Sequence, residues 1–161
     1  MNFSDNAFKL VAELDFRQGT MHRTFYDERG RLGVGYGHVL KTGESVKVPM
    51  ASHIAAALLL ADLKDVYALI KPRVQNLSQC QVDAVVAWGF CAMQGRCESG
   101  DGQTFEDSRL LEYAQAGKVH LTAAEFDNWA SIKGRPSIPL SRRRQLEQLM
   151  FLGNYTPKGR S

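Results

Sequence analysis

The sequence predicts a mainly α-helical fold with one small β-hairpin lobe, an α+β arrangement, on three observations. Apolar residues recur at helical spacing through most of the chain, capping signals and glycines bound those segments, and only residues 23 to 34 carry a short-strand pattern. The chain has 161 residues, of which 44% are hydrophobic and 23% charged. A single domain of this length buries about two-thirds of its unfolded surface. With 14 glycines and 5 prolines, the composition excludes collagen-like and low-complexity chains. No metal or cofactor is needed to explain folding, and none is expected.

Ala7, Leu10, Val11 and Leu14 fall on one face, so Asp5 to about Arg17 reads as an amphipathic helix closed by Gly19, with Gln18 at its end. Arg23 to Asp27 and Arg31 to Val34 read as two strands around a turn at Glu28-Arg29-Gly30. Gly33-Val34-Gly35-Tyr36-Gly37-His38 then suits a tight bend with close backbone approach. No helix start follows it, so it is not a nucleotide loop. From Pro49 the pattern is helical to Ile70, stopped by Lys71-Pro72, and its apolar middle predicts a buried helix. Ser78 with Gln81 forms a capping box, and Leu77 with Val82 a hydrophobic staple, opening a core helix through Met93 that holds Trp88 and Phe90. After the polar loop Gln94 to Gln103, Thr104 with Asp107 predicts a helix start and Gly117 its end. Thr122 with Glu125 predicts another start, running to Trp129, which like Trp88 reads as core. Arg142 to Leu152 predicts the last helix, closed by Gly153. The sequence shows no internal repeat.

The longest apolar run, Ile54 to Ala61, is far short of the roughly 20 residues that span a bilayer. Met1-Asn2-Phe3-Ser4-Asp5 shows no secretion signal. Three cysteines are an odd number in a chain of this size, which argues against a disulfide framework, although Cys91 and Cys97 are spaced to pair with Cys80 left free. The net charge is +3, unevenly placed: residues 133–161 hold seven basic side chains against Glu147 alone, +6, which leaves −3 for the rest. Such an end either faces a polyanion or is an ordinary solvated helix with internal ion pairs.

Gln18-Gly19, Phe25-Tyr26-Asp27, Gly30 and Gly35-Tyr36-Gly37-His38 resemble the N-terminal signature of the phage-type lysozymes, glycoside hydrolase family 24. The likeness continues through nearly the whole chain. Leu77-Ser78-Gln79 with Gln81 and Asp83-Ala84 is similar to the start of that family's central helix, and Phe105, Ser108 and Leu110-Leu111 to its next helix. Trp129 to Leu140, Arg142-Arg143-Arg144 and Glu147 are similar to its C-terminal region. The resemblance implies one lysozyme-like domain over residues 1–161. Its parts would be a small N-terminal lobe over about 15–50, a connecting helix over about 51–70, and a helical lobe over about 77–155 packed with the helix at 5–17. A glycan cleft would lie between the lobes, and the implied activity is that of an endolysin-like peptidoglycan muramidase.

In that family a glutamate before the glycine is the general acid, while an aspartate and a threonine position the attacking water. The matching positions here are Gln18, Asp27 and Gly33, so only the aspartate is retained. Glycoside hydrolysis asks one carboxylic acid to protonate the leaving oxygen and a second carboxylate to assist water; in inverting enzymes the two stand roughly 6.5 to 9.5 Å apart. A carboxamide has the acid's shape but no proton to give, and general acid catalysis contributes about 10²- to 10⁴-fold. Further departures are Cys91 and Met93, where an asparagine and a glycine are usual, and the enlarged loop 94–103.

Phe25, Tyr36 and His38 are the substrate-binding candidates, with core or hinge packing as the rival role for the two aromatics. Asp27 has a rival role as a turn residue bonding its own backbone. For His38 that role is structural, as a charge-paired residue with Asp62 as partner. The readings of function are then three. The first is a pseudoenzyme that binds cell wall or serves as a module of a phage or regulatory protein assembly. The second is an active muramidase with a replacement acid, Asp15 or a loop residue such as Glu98 or Asp101. The third is a glutamate-to-glutamine trapped form of an active enzyme, against which Gly33 argues. Nucleic acid is not an expected partner, because no recognition motif accompanies the basic end. The expected site is the host cytoplasm or the phage particle, with action at the bacterial wall after release or delivery.

Overall fold

The computed structural model describes residues 2–15 and 23–158. Helix α1 (Asp5–Asp15) buries Ala7, Leu10 and Val11 completely, the stripe that its spacing dictates. Ser4 fixes its start: the Ser4 backbone N–H and Oγ donate to the two oxygens of the buried Asp83, at 2.7 and 2.5 Å, and Asn6 N–H donates back to Ser4 Oγ. Asp83 belongs to α3 (Gln79–Met93), so this cap also ties the N-terminus to the middle of the molecule.

Three short strands follow, β1 (Phe25–Tyr26), β2 (Leu32–Val34) and β3 (His38–Val39), in one antiparallel sheet of order β1-β2-β3. The third strand is not legible in the glycine-rich bend, because it is only two residues long. Helix α2 (Ser52–Ile70) is a surface helix rather than a buried one. Ala55, Leu59, Leu63, Val66 and Ile70 form its buried stripe, whereas Ile54, Leu60 and Leu69 are 49%, 39% and 60% exposed. Its apolar content exceeds what one face can bury.

Helix α3 is the core element. The Ser78–Gln81 capping box is present, and from Val82 to Ala92 every residue is buried. Helices α1, α2 and α6 (Ile138–Phe151) all pack on it. Trp88 stacks against Phe105 at 5.3 Å and edge-on against Trp129 at 5.2 Å, so both tryptophans are core residues. Mostly helical, with small antiparallel sheets, the molecule has the α+β class expected of the sequence.

Three helix starts differ from expectation. Helix α4 (Arg109–Gln115) is capped by Ser108, whose side chain accepts from Leu111 N–H, and Thr104 with Asp107 makes only the turn before it. Helix α5 (Val119–Glu125) begins before Thr122, whose hydroxyl donates back to Lys118 O at 2.8 Å from inside the helix, and a 3₁₀ turn then carries Phe126–Trp129. Helix α6 begins at Ile138, not Arg142, because Ser137 caps it and Pro139 fits its first turn. A second hairpin, β4 (Ser131–Ile132) with β5 (Arg135–Pro136), turns at Lys133-Gly134, so the chain has more than the one hairpin its pattern shows.

Candidate functional site

The β1–β2 turn builds the first part of the site. Gly30 takes a positive φ of 73° and its N–H donates to Asp27 O at 3.0 Å, which closes the turn on Asp27. The Asp27 side chain is 1% exposed. Its Oδ1 accepts the backbone N–H groups of Arg29 and Arg31 at 2.9 and 2.8 Å, and its Oδ2 accepts Arg31 Nε at 2.8 Å. Burial pushes this carboxyl up, but the Arg31 N–H and guanidinium and the Arg29 N–H outweigh it and hold the group below the ordinary aspartate range. Both carboxylate oxygens therefore serve the turn and one arginine.

Gly33 pairs with Phe25 across the ladder and with Val39 on its other side. A β-carbon on Gly33 would stand 2.8 Å from Cζ and 2.9 Å from Cε2 of Phe25, and 3.2 Å from His38 O. The tip of the Phe25 ring would therefore have to shift to admit a side chain at 33. Tyr36 packs edge-on against Phe8 of α1, ring centroids 6.1 Å apart. Gln18 lies outside the described residues, as does the Asp15 side chain.

His38 is 7% exposed and is held from both sides: Nδ1 is 2.7 Å from Asp62 Oδ2, and Nε2 is 3.0 and 3.1 Å from the two oxygens of Glu44. Two carboxylates on two ring nitrogens require both nitrogens to carry protons, which is the imidazolium. The Asp62 hydrogen bond, against burial and with help from Glu44, raises the imidazole above its ordinary value. Asp62 lies on α2, so this pair joins the sheet to the long helix.

Between β3, α2 and the end of α3 lies a cleft of about 470 Å³, lined by Arg31, His38, Asp62, Asp65, Phe90, Met93 and Gln94, among others. Its lining mixes apolar side chains, Phe90 and Met93 among them, with charged ones such as Arg31, Asp62 and Asp65. The segment after α3 bridges this cleft to the hairpin. Val39 N–H donates to Gln94 Oε1 at 2.9 Å, Arg29 Nε donates to Gly95 O at 2.8 Å, and Arg29 also pairs with Glu98 at 3.3 Å. Arg96 Nη1 donates to Gly37 O at 3.4 Å.

Of the loop carboxylates, Glu98 is committed to Arg29 and Lys133 N–H, while Asp101 is clamped by Arg109, Gln103 and Asn128. The basic C-terminal end is less available than its sequence implies, since Arg143 and Arg144 are both buried, with Arg144 Nη2 2.7 Å from the buried Glu147. Sequence reasoning missed Arg31 as the clamp on Asp27 and Glu44 as the second partner of His38. The four-residue offset from Asp27 to Arg31 across a glycine turn is a signal for the first; Glu44 carries none. Among the described residues no cluster of His, Cys, Asp or Glu is arranged to hold a metal ion, and no helix is long and apolar enough to cross a membrane.

The phage lysozyme family model matches residues 17–147. The chain is 33% identical over 98% of its length to the endolysin of Bacillus phage PZA, and 26% identical over 94% to that of Bacillus phage B103. It spans only 57% and 54% of those relatives. Among solved structures, the muramidase domain of SpmX from Asticaccaulis excentricus superposes with a TM-score of 0.74 at 26% identity, covering 94% of this chain and 97% of that one. The endolysin of Escherichia coli O157:H7 phage FAHEc1 superposes with a TM-score of 0.75 at 24% identity, covering 98% of both chains, and speaks for the fold alone.

Proposed function

The chain belongs to the phage lysozyme family, and from that premise we propose that it holds peptidoglycan glycan strands in its cleft while hydrolysing them slowly or not at all. It acts as a wall-binding module at the bacterial cell wall. The observation that carries this reading is the state of the Asp27 carboxylate, whose two oxygens are taken up by the turn N–H groups and Arg31. A carboxylate so engaged has little basicity left for a water molecule.

Two further features support it. The threonine position is Gly33, which offers no hydroxyl, and the tip of the Phe25 ring stands where a side chain would begin. The general-acid position is Gln18, and a carboxamide cannot protonate a leaving oxygen. The rival reading, an active muramidase with a replacement acid, draws no support from Glu98 or Asp101, whose oxygens are engaged in structural pairs.

The test is to incubate the purified protein with isolated peptidoglycan sacculi, and to follow both co-sedimentation and the release of reducing sugar ends. Saturable co-sedimentation with negligible release is the expected result. Release at an ordinary enzymatic rate, abolished by Asp27→Ala, would overturn it, and so would failure to bind.

A further inference from the structure

Cys91 and Cys97 play no part in the reading above. All three cysteines are free: Cys80 sits half-buried at the start of α3, whereas Cys91 and Cys97 are buried at its other end. There the helix closes in a Schellman turn, with Gly95 N–H donating to Ala92 O at 3.1 Å and Arg96 N–H to Cys91 O at 3.0 Å, Gly95 taking a φ of 68°. The turn folds the chain back on itself. Cys97 is thereby brought back toward Cys91, and both side chains are buried.

The charged groups facing this pair are the guanidinium groups of Arg96, Arg143 and Arg144 and the carboxyl of Glu147. Arg144 Nη1 donates to Cys97 Sγ at 3.0 Å. The Cys97 hydrogen bond, then the arginines, draw Cys91 down to about 5 against its burial, while burial and the Cys91 neighbour push Cys97 well up. The guanidinium contact on Cys97 and the arginines around the pair favour a thiolate here, the form in which a cysteine attacks. Cys97 also lines a depression of about 280 Å³ with Gly95, Gly102 and Trp129.

We propose that Cys91 and Cys97 form a peroxide-sensitive dithiol, an oxidation site at which a hydroperoxide closes an intramolecular disulfide across the terminal turn of α3. The thiolate attacks the O–O bond, taking one oxygen as a sulfenic acid and releasing the other as hydroxide, or alkoxide from an organic peroxide. The second sulfur then displaces the sulfenic hydroxyl, which leaves as water with the remaining thiol proton. Two thiols lose two electrons and the peroxide gains them. The bond would close a ring around Gln94, Gly95 and Arg96, the residues that bind Val39, Arg29 and Gly37 of the hairpin. Oxidation would thus act on the bridge across the cleft.

The test uses the full chain carrying Cys80→Ser, so that no intermolecular link confuses the result. The protein is treated with hydrogen peroxide, quenched, unfolded, alkylated and digested with trypsin, which cuts after Arg96 and separates the two cysteines. A peptide pair linked through Cys91 and Cys97, loss of both alkylatable thiols, and reversal by dithiothreitol are expected. Adding Cys91→Ser should abolish the link and leave Cys97 as a sulfenic acid trappable by dimedone. Two thiols still alkylatable after treatment would overturn the proposal, and so would oxidation that stops at a sulfinic acid with no link. Both readouts are taken on the Cys80→Ser protein, so they hold even if the Cys91 variant fails to fold.

Discussion

The ring of Phe25 lies across Gly33, its Cζ 2.8 Å from where a β-carbon would stand. Because the two residues face each other in the β1–β2 register, their side chains are one packing choice. Gly33→Thr alone is expected to destabilise the protein by about 1 kcal/mol, the low end of the cost of overpacking, since the half-buried Phe25 ring can turn aside. In a double-mutant cycle read by urea denaturation, Phe25→Ala should relieve at least half of that cost. The same argument bears on activity. If the ring holds the threonine's place, a Gln18→Glu/Gly33→Thr protein should release reducing ends more slowly than the same protein with Phe25→Ala added. Equal rates would show that the ring does not occupy the threonine's place.

Asp27 makes a second prediction, on acid stability. Its folded carboxyl is held below the ordinary value, because the Arg31 and Arg29 donors overcome the effect of burial. A group depressed in this way contributes stability that is fully present above the unfolded value, near 4. That contribution is lost as pH falls through the lower folded value. Amide exchange at Arg29 and Arg31 should therefore accelerate below about pH 4, relative to amides of α3. Asp27→Asn keeps an acceptor for the turn but loses the Arg31 ion pair; it should cost about 0.5–1.5 kcal/mol and flatten the acid dependence. An unchanged acid dependence in Asp27→Asn would place its origin elsewhere.

The sequence discloses features that depend on local chemistry and hides those that depend on what meets what. The Ser78–Gln81 cap, the Trp88 and Trp129 core positions and the His38–Asp62 pair are all legible, because spacing, apolarity and charge complementarity announce them. The true start of α6 is hidden because Pro139 suggests a loop, although proline is welcome in the first turn of a helix. Likewise Thr122 carries the letters of a cap yet bonds back inside a helix. At the site, the Asp27 turn is half-legible from Gly30. The clash between Phe25 and a residue at 33 is invisible, since it exists only once the strands are in register.

His38 gives the opposite pH dependence from Asp27. Its imidazole is raised by the Asp62 bond, with Glu44 on the other nitrogen. A raised base contributes stability that is fully present below its unfolded value, near 6.5. That stability disappears as pH rises through the higher folded value. Asp62→Asn should thus cost about 1.5–3 kcal/mol near pH 6, and much less where His38 is neutral in both proteins. The His38 titration followed by NMR should move down in Asp62→Asn, and by less in Glu44→Gln. A titration that stays put after Asp62→Asn would deny the pair its energetic role.

Arg144 and Glu147 are both fully buried on α6, joined at 2.7 Å. Removing one partner strands the other charge without solvent, so Glu147→Ala should cost about 3–5 kcal/mol. Replacing both by apolar residues of similar volume, Arg144→Met with Glu147→Leu, should recover part of that loss, because Arg144 no longer has to be desolvated while the buried Arg143, 3.5 Å from Glu147, still loses that carboxylate. A buried pair is weakly screened, so the Glu147→Ala penalty should be nearly the same in low and high salt. A solvated basic face would behave otherwise, its contribution shrinking as salt rises. Urea melts of the three proteins at two salt concentrations separate the cases: a small, salt-sensitive penalty would mean that the arginines reach water.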